Sequence, residues 1–272
     1  MRRVDIDVQA VSDHLIECAD QYILPRYNAL KDNEISTKTG PQDLVTQADI
    51  DVENALKDIL PGLLPHSVVL GEEGVSNGEM SLDMLHDKSK PIWVIDPVDG
   101  TFNFVHGKRE FAVMVGLIVN GVTQYAWIYD VLGEAVTIAE VGAGAFCNGE
   151  RLKVDNVTHI ESMSGHINPK YFPKDYSDHI KEQRSKFREC RSIGCAGHEY
   201  LRIAKAEAQF SVYSRMKPWD HIAGSLIIRE AGGEVYTWDG KIYETHHFNT
   251  GIIATTDKDE GWRRVIDIFT PL

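Results

Sequence analysis

The 272-residue chain is long enough to bury a sizeable core as one large domain or two intimate lobes, and its 43% hydrophobic and 25% charged residues are ordinary for a soluble globular protein. A formal net charge of -13 argues against unassisted binding to nucleic acid or to an anionic membrane, both of which attract basic faces. Acidity of this kind still permits an anionic substrate where bound cations reverse the local field.

The cysteines Cys18, Cys147, Cys190 and Cys195 form no CxxC pair and no zinc-ligand spacing, as in a cytosolic protein with reduced thiols. The stretch MRRVDIDVQAVSDHL has two arginines but no uninterrupted apolar core, so it does not read as a signal peptide. No segment approaches the ~20 apolar residues that a membrane span needs. The expectation is a soluble, cytoplasmic protein.

In chain order, the first predicted element is an amphipathic helix from Asp5 to Leu30, with Val8, Val11, Leu15, Cys18 and Tyr22 on one face and Pro25 kinking or ending its last turn. The polar stretch KDNEISTKTGPQ reads as a mobile loop. A second helix is expected from Thr46 to Leu60, with Ala48, Val52, Leu56 and Ile59 inward. Strands follow at Ser67 to Gly71 and Ile92 to Asp96. The runs FAVMVGLIV, TQYAWIYD and EAVTIA, separated by Gly or Asn turns, read as antiparallel strands. Further on, strands are predicted near Ser162 to Ile167 and Arg191 to Ile193, and at EVYTW and GIIATT. Helices are predicted at Asp175 to Phe187, His198 to Ala206, Asp220 to Ala231 and Asp257 to Phe269. No repeat or linker interrupts this order, so the chain reads as a single unit over 1–272, its two lobes meeting near 140–160. Mixed α and β with antiparallel hairpins implies layered sheets and helices in place of a Rossmann unit.

Candidate chemistry lies in clustered carboxylates. In WVIDPVDGTFNF an apolar strand ends at Asp96, Pro97 turns the chain, and Asp99 follows in the same bend. Two carboxylates this close repel, so one is protonated unless a cation sits between them. Magnesium, a hard ion that prefers oxygen ligands, suits such a pair. Gly100 allows close approach of a ligand, and amides at a helix start near Thr101 would face a phosphate. A plain turn with helix-capping aspartates is the competing reading. Glu72 and Glu73 follow a strand in a Gly-flanked turn, and Asp220 stands where an N-cap is expected. Thr46 and Asp49 have capping-box spacing. His246 and His247 read as surface residues of a polar turn.

The set Glu72, Asp96, Asp99 and Asp220, with DLVTQAD (Asp43 to Asp49), GAGAFCNGERL (Gly142 to Leu152) and EAGG (Glu230 to Gly233), resembles the inositol monophosphatase family nearly end to end. The resemblance implies a layered α-β-α-β-α fold, a homodimer, and magnesium-dependent, lithium-sensitive hydrolysis of a small phosphate monoester, foremost inositol 1-phosphate. It implies two to three Mg2+ ions: one on Glu72, Asp96 and the Val98 carbonyl, one on Asp96, Asp99 and Asp220, and a weaker third near Glu72 against the loop of Lys38 and Asp43. Glu72 and Thr101 would orient the attacking water, and Asp49 would either support them or simply cap its helix. The substrate would meet Asp99, Gly100, Thr101, Gly194, Cys195, Ala196, Asp220 and position 213. That position, where the family commonly carries a hydroxyl-reading Glu, is Tyr213 here, and Phe102 replaces a common Thr. Arg215, Lys217, His198 and His221 flank the region, either favouring a more anionic substrate or lying on the surface. Sibling specificities (histidinol phosphate, fructose 1,6-bisphosphate, 3'-phosphoadenosine nucleotides) and a regulatory role in transcription or ribosome-assembly complexes remain alternatives.

Overall fold

The computed structural model describes residues 4–38, 40, 43–247, 250–258 and 261–271. Helix α1 (Val8–Cys18) starts where the Asp7 carboxylate accepts the Ala10 N–H, and it buries Val11, Leu15 and Cys18. It stops well short of Leu30. Ala19–Ile23 widens into a π-helical turn and Leu24–Arg26 tightens into a 3-10 turn, because Pro25 has no N–H with which to continue the ladder. Within the stretch expected to be a mobile loop, Asp32–Glu34 forms a 3-10 turn and Ile35–Thr37 a strand, β1, that pairs antiparallel with β2 (Leu44–Thr46) beyond it; residues 39, 41 and 42 of that stretch lie outside the described residues. Thr46 and Asp49 close a capping box on α2 (Gln47–Leu63), which runs past Leu60 and takes Pro61 into its final turn.

A seven-stranded sheet follows: β3 (Val68–Gly71), β4 (Ile92–Asp99), β5 (Ala112–Val119), β6 (Val122–Asp130), β7 (Ala135–Glu140), β8 (Gly144–Cys147) and β9 (Glu150–Arg151), neighbours in that order. β3 and β4 are parallel and the later pairs antiparallel, as the hairpin runs predict; β8 and β9 lacked a strand signal. Two short helices interrupt the strands, α3 (Glu72–Ser76) after β3 and α4 (Thr101–Val105) after β4.

The second sheet has the order β11-β10-β12-β14-β13, built from β10 (Ser164–Ile167), β11 (Glu189–Cys190), β12 (Phe210–Tyr213), β13 (Glu234–Thr237) and β14 (Ile252–Thr255). The strand expected at Arg191 to Ile193 lies just upstream, and β12 was not predicted at all. Helices α5 (Lys174–Gln183), α6 (Ala196–Ala204), α7 (Pro218–Glu230) and α8 (Gly261–Phe269) complete the chain. The predicted extension of α5 to Phe187 is a 3-10 turn, Arg184–Lys186, and residues 259 and 260 of the predicted last helix lie outside the described residues.

Three apolar clusters order the layers. α1 and α2 cover one face of the seven-stranded sheet, α6 and α7 fill the space between the sheets, and α5 and α8 cover the far face of the second sheet. β5 shows why its sequence is almost uninterruptedly apolar. Val113, Val115 and Leu117 face α1 and α2, while Ala112 and Met114 face α6 and α7, so both faces are dry. Gly116 is the contact point for α7, since a Cβ there would lie 2.6 Å from Ile222 Cγ2. No described helix is long and apolar enough to cross a membrane, and all four cysteines are free thiols.

Candidate active site

Strand parity is broken at the centre of the site. Residues three apart in a regular strand face opposite ways, which would separate Asp96 from Asp99. β4 does not turn at Pro97; it runs on to Asp99 with one extra residue, because Asp96 pairs with Met114 and Asp99 with Ala112. That bulge leaves Val98 in the core with Trp93 and Ile95 and returns Asp99 to the face of Asp96. Pro97, which donates no hydrogen bond, is well suited to the bulged position.

The parallel register brings in Glu72. Gly71 lies opposite Ile95, so the next residue, opening α3, stands beside Asp96. Glu53 of α2 fixes that turn by accepting from the Glu73 N–H at 2.7 Å and the Gly74 N–H at 2.8 Å. Asp220 arrives from α7. It is not the N-cap; Pro218 moves the helix start upstream, Lys217 takes the cap position, and Asp220 sits in the first turn with a side-chain hydrogen bond to Asp96.

Asp99 is held by the start of α6, where its carboxylate accepts from Ala196 N–H (3.2 Å), Gly197 N–H (2.5 Å) and the Cys195 thiol (2.9 Å). Gly100 has φ 84°, and a Cβ there would meet Glu110 O at 2.8 Å and Cys195 Cβ at 3.0 Å. Thr101 Oγ1 lies 3.0 Å from the Val98 carbonyl and 3.1 Å from Asp49 Oδ1. Asp49 thus completes the α2 capping box and also meets the Thr101 hydroxyl. Of the residues singled out in the sequence as catalytic, metal-holding or substrate-touching, all but Asp49 line one cleft.

The electrostatics are unbalanced. Burial, reinforced by Glu72, Asp99 and Asp220, pushes the Asp96 carboxyl well above the usual range. Burial also raises Asp99 against the donors that hold it, and raises Asp220 to about 8, with Glu72 and Asp99 adding to the effect against Lys217. Asp49 rises to about 6, mainly by burial. Glu72 goes the other way: burial is outweighed by Lys217 and Lys38, which lower it. Asp96 Oδ1 is buried and finds no hydrogen-bond partner among the described residues. An unpartnered carboxylate oxygen among aspartates that resist ionising fits a hard divalent cation.

The flanking residues divide. Tyr213 lines the cleft with its hydroxyl oxygen buried and its ring packed on Tyr200 (5.4 Å) and His221 (4.8 Å). His198 is neither surface nor cleft; it is buried with Nε2 3.3 Å from the Phe111 carbonyl. His221 is buried between the Arg215 carbonyl and the Tyr200 hydroxyl, and burial lowers it to about 4, so it brings no positive charge. Arg215 stacks on Tyr171 at 4.0 Å on the cleft wall, and Phe102 stacks on His106 at 4.0 Å on another edge. His246 and His247 do not line the cleft; with Glu244 they put three ligand atoms within 4.8 Å of one another.

Sequence reasoning missed two supports. Asn103 Nδ2 donates to the Glu110 carbonyl (2.8 Å) and the Ile193 carbonyl (2.9 Å), tying α4 to the loop that carries Gly194. Glu199 accepts from the Ile193 N–H at 3.0 Å and the Ser211 hydroxyl at 2.9 Å, anchoring the same loop to β12. Asn103 stood in the quoted motif; Glu199 carried no signal.

The profile of the inositol monophosphatase family matches residues 6–266. The chain belongs to the inositol monophosphatase family. An inositol-1-monophosphatase of Bacillus subtilis is 33% identical over 210 residues, covering 76% of this chain and 77% of that protein. A fructose-1,6-bisphosphatase/inositol-1-monophosphatase of Thermotoga maritima is 29% identical, with 81% of each chain covered. The solved structure of a Thermotoga maritima IMPase superposes with a TM-score of 0.82 at 26% identity, covering 96% of this chain and 97% of that one. As a member of the inositol monophosphatase family, the protein is a phosphoric monoester hydrolase with the layered fold of that family.

Proposed function

We propose that the cleft hydrolyses small polyol phosphates, inositol 1-phosphate among them, by in-line attack of water with two to three Mg2+ ions. The observation that carries this is the acidic centre: Asp96 with an unpartnered oxygen, flanked by Asp99 and Asp220, both held above their usual range by burial. Glu72, Asp96 and the Val98 carbonyl would hold one ion, Asp96, Asp99 and Asp220 a second, and Glu72 with the Asp43 loop a third. Magnesium held there would polarise phosphoryl oxygens and activate water as a nucleophile near neutral pH. Thr101 Oγ1, fixed between Asp49 and the Val98 carbonyl, would orient the attacking water together with Glu72. Gly100 and Thr101 line the cleft, and their amides would donate to phosphate oxygens.

At position 213 a tyrosine with a buried hydroxyl stands where a carboxylate would accept from substrate hydroxyls, so discrimination among alcohol leaving groups relaxes. Arg215 supports a second reading, a substrate with a second phosphate such as fructose 1,6-bisphosphate, the substrate named for the Thermotoga relative. Phosphate release across a panel of monoesters and bisphosphates, with and without magnesium, tests both. Magnesium-dependent release from inositol 1-phosphate and glycerol 2-phosphate within about tenfold in kcat/KM, ~1.4 kcal/mol, supports the first reading. Strong preference for a bisphosphate supports the second, and no magnesium-dependent release from any ester rejects both.

A further inference from the structure

Glu72 already has cationic partners. Two ammonium groups donate to the same oxygen, Oε1: Lys38 Nζ at 3.0 Å and Lys217 Nζ at 2.9 Å. The two lysines are held differently. Lys38 is also bound to Glu73 at 2.6 Å and is 11% exposed, whereas Lys217, 33% exposed, extends from the residue before Pro218 at the rim.

An ion that uses Glu72 needs a lone pair on that carboxylate, and it brings positive charge next to ammonium groups already there. Binding at Glu72 is therefore an exchange. Lys38 can fall back on Glu73, while Lys217 has a flexible stem and a partly exposed side chain. We propose that Lys217 is a built-in counter-cation of the metal-free cleft, displaced when a divalent ion takes Glu72, and that it thereby sets the apparent divalent affinity. This rests on Glu72 being a metal ligand. By neutralising a buried carboxylate, Lys217 stabilises the metal-free fold, and the same contact raises the magnesium concentration needed to fill the site.

The test is calorimetric titration of MgCl2 into EDTA-stripped full-length protein, with thermal midpoints of the metal-free forms, for the unmodified chain, Lys217→Gln and Lys217→Arg. Lys217→Gln is expected to bind Mg2+ about tenfold more tightly, the scale of one unit charge removed beside a divalent ion in a water-like dielectric. Its metal-free midpoint should fall, and the rise on adding magnesium should grow. Lys217→Arg keeps the charge and should stay within about twofold of the unmodified protein. Should Lys217→Gln not fold, Lys217→Met, which keeps the stem, takes its place. Magnesium binding by the unmodified protein with equal or weaker binding by the uncharged variant overturns the counter-cation role and leaves Glu72 as a ligand intact. Absence of binding by every form overturns the metal assignment as well.

Discussion

Asp220→Asn separates the electrostatic cost of the site from its catalytic use. Asp220 has an unfolded value of 3.8 and a folded value of about 8, chiefly because burial opposes its charge. Below pH 4 it is protonated in both states, so Asp and Asn are nearly equivalent there. As pH rises, the unfolded chain ionises first while the folded chain resists until about 8, so the native protein loses stability across pH 4 to 8. At ~1.4 kcal/mol per pH unit the span sets a ceiling near 6 kcal/mol. Asp220 keeps some solvent exposure, which screens its charge, and Asn preserves the shape that meets Asp96. About 2–3 kcal/mol of stabilisation is therefore expected for Asp220→Asn at pH 8 in EDTA, or roughly 6 °C in thermal midpoint for a chain this long. The gain should vanish toward pH 4 and reverse under saturating magnesium, where the native carboxylate gains an ion. Thermal melts followed by circular dichroism at several pH values check this. An Asp220→Asn variant no more stable than the native protein in EDTA at pH 8 would refute the reasoning.

Asp96→Asn should lower turnover with saturating magnesium at least about a hundredfold, the scale of a lost electrostatic stabiliser, and near-normal phosphate release would reject the two-metal arrangement. Lithium should inhibit in competition with magnesium, since Asp96, Asp99 and Asp220 are all present; full activity with lithium well above magnesium would contradict this. Tyr213→Glu should shift the kcat/KM ratio of inositol 1-phosphate over glycerol 2-phosphate upward by about 1–3 kcal/mol, one buried polar contact, and an unmoved ratio would place recognition elsewhere. Asp49→Ala removes Asp49's half of the α2 capping box and the contact to Thr101, so urea melts should show a loss of about 1–2 kcal/mol and turnover should fall. A loss of stability alone would mean that Asp49 acts only as a cap.

Some of this was legible because it is local. Helix faces on α1 and α2, the hairpin runs of β5 to β7, the Thr46 and Asp49 capping box and the acidic motif all follow from periodicity, turn chemistry or short spacing. Strand β12 escaped because four residues between a helix end and a proline carry little periodic signal; its pairing with β10 and β14 makes it a strand. His198 and His221 illustrate the same limit, since only packing decides that both are buried and turned to carbonyls. The sequence by itself determined that four carboxylates recur at strand ends and helix starts, and which family they resemble. Only the tertiary structure decided that a bulge at Pro97 turns Asp96 and Asp99 to one face, that Glu72 lies beside them, and that Lys217 already pairs with it. Spacing along a chain is a one-dimensional quantity. Charge repulsion, burial and pairing depend on distance through space, and the packing of the two sheets around α7 sets those distances.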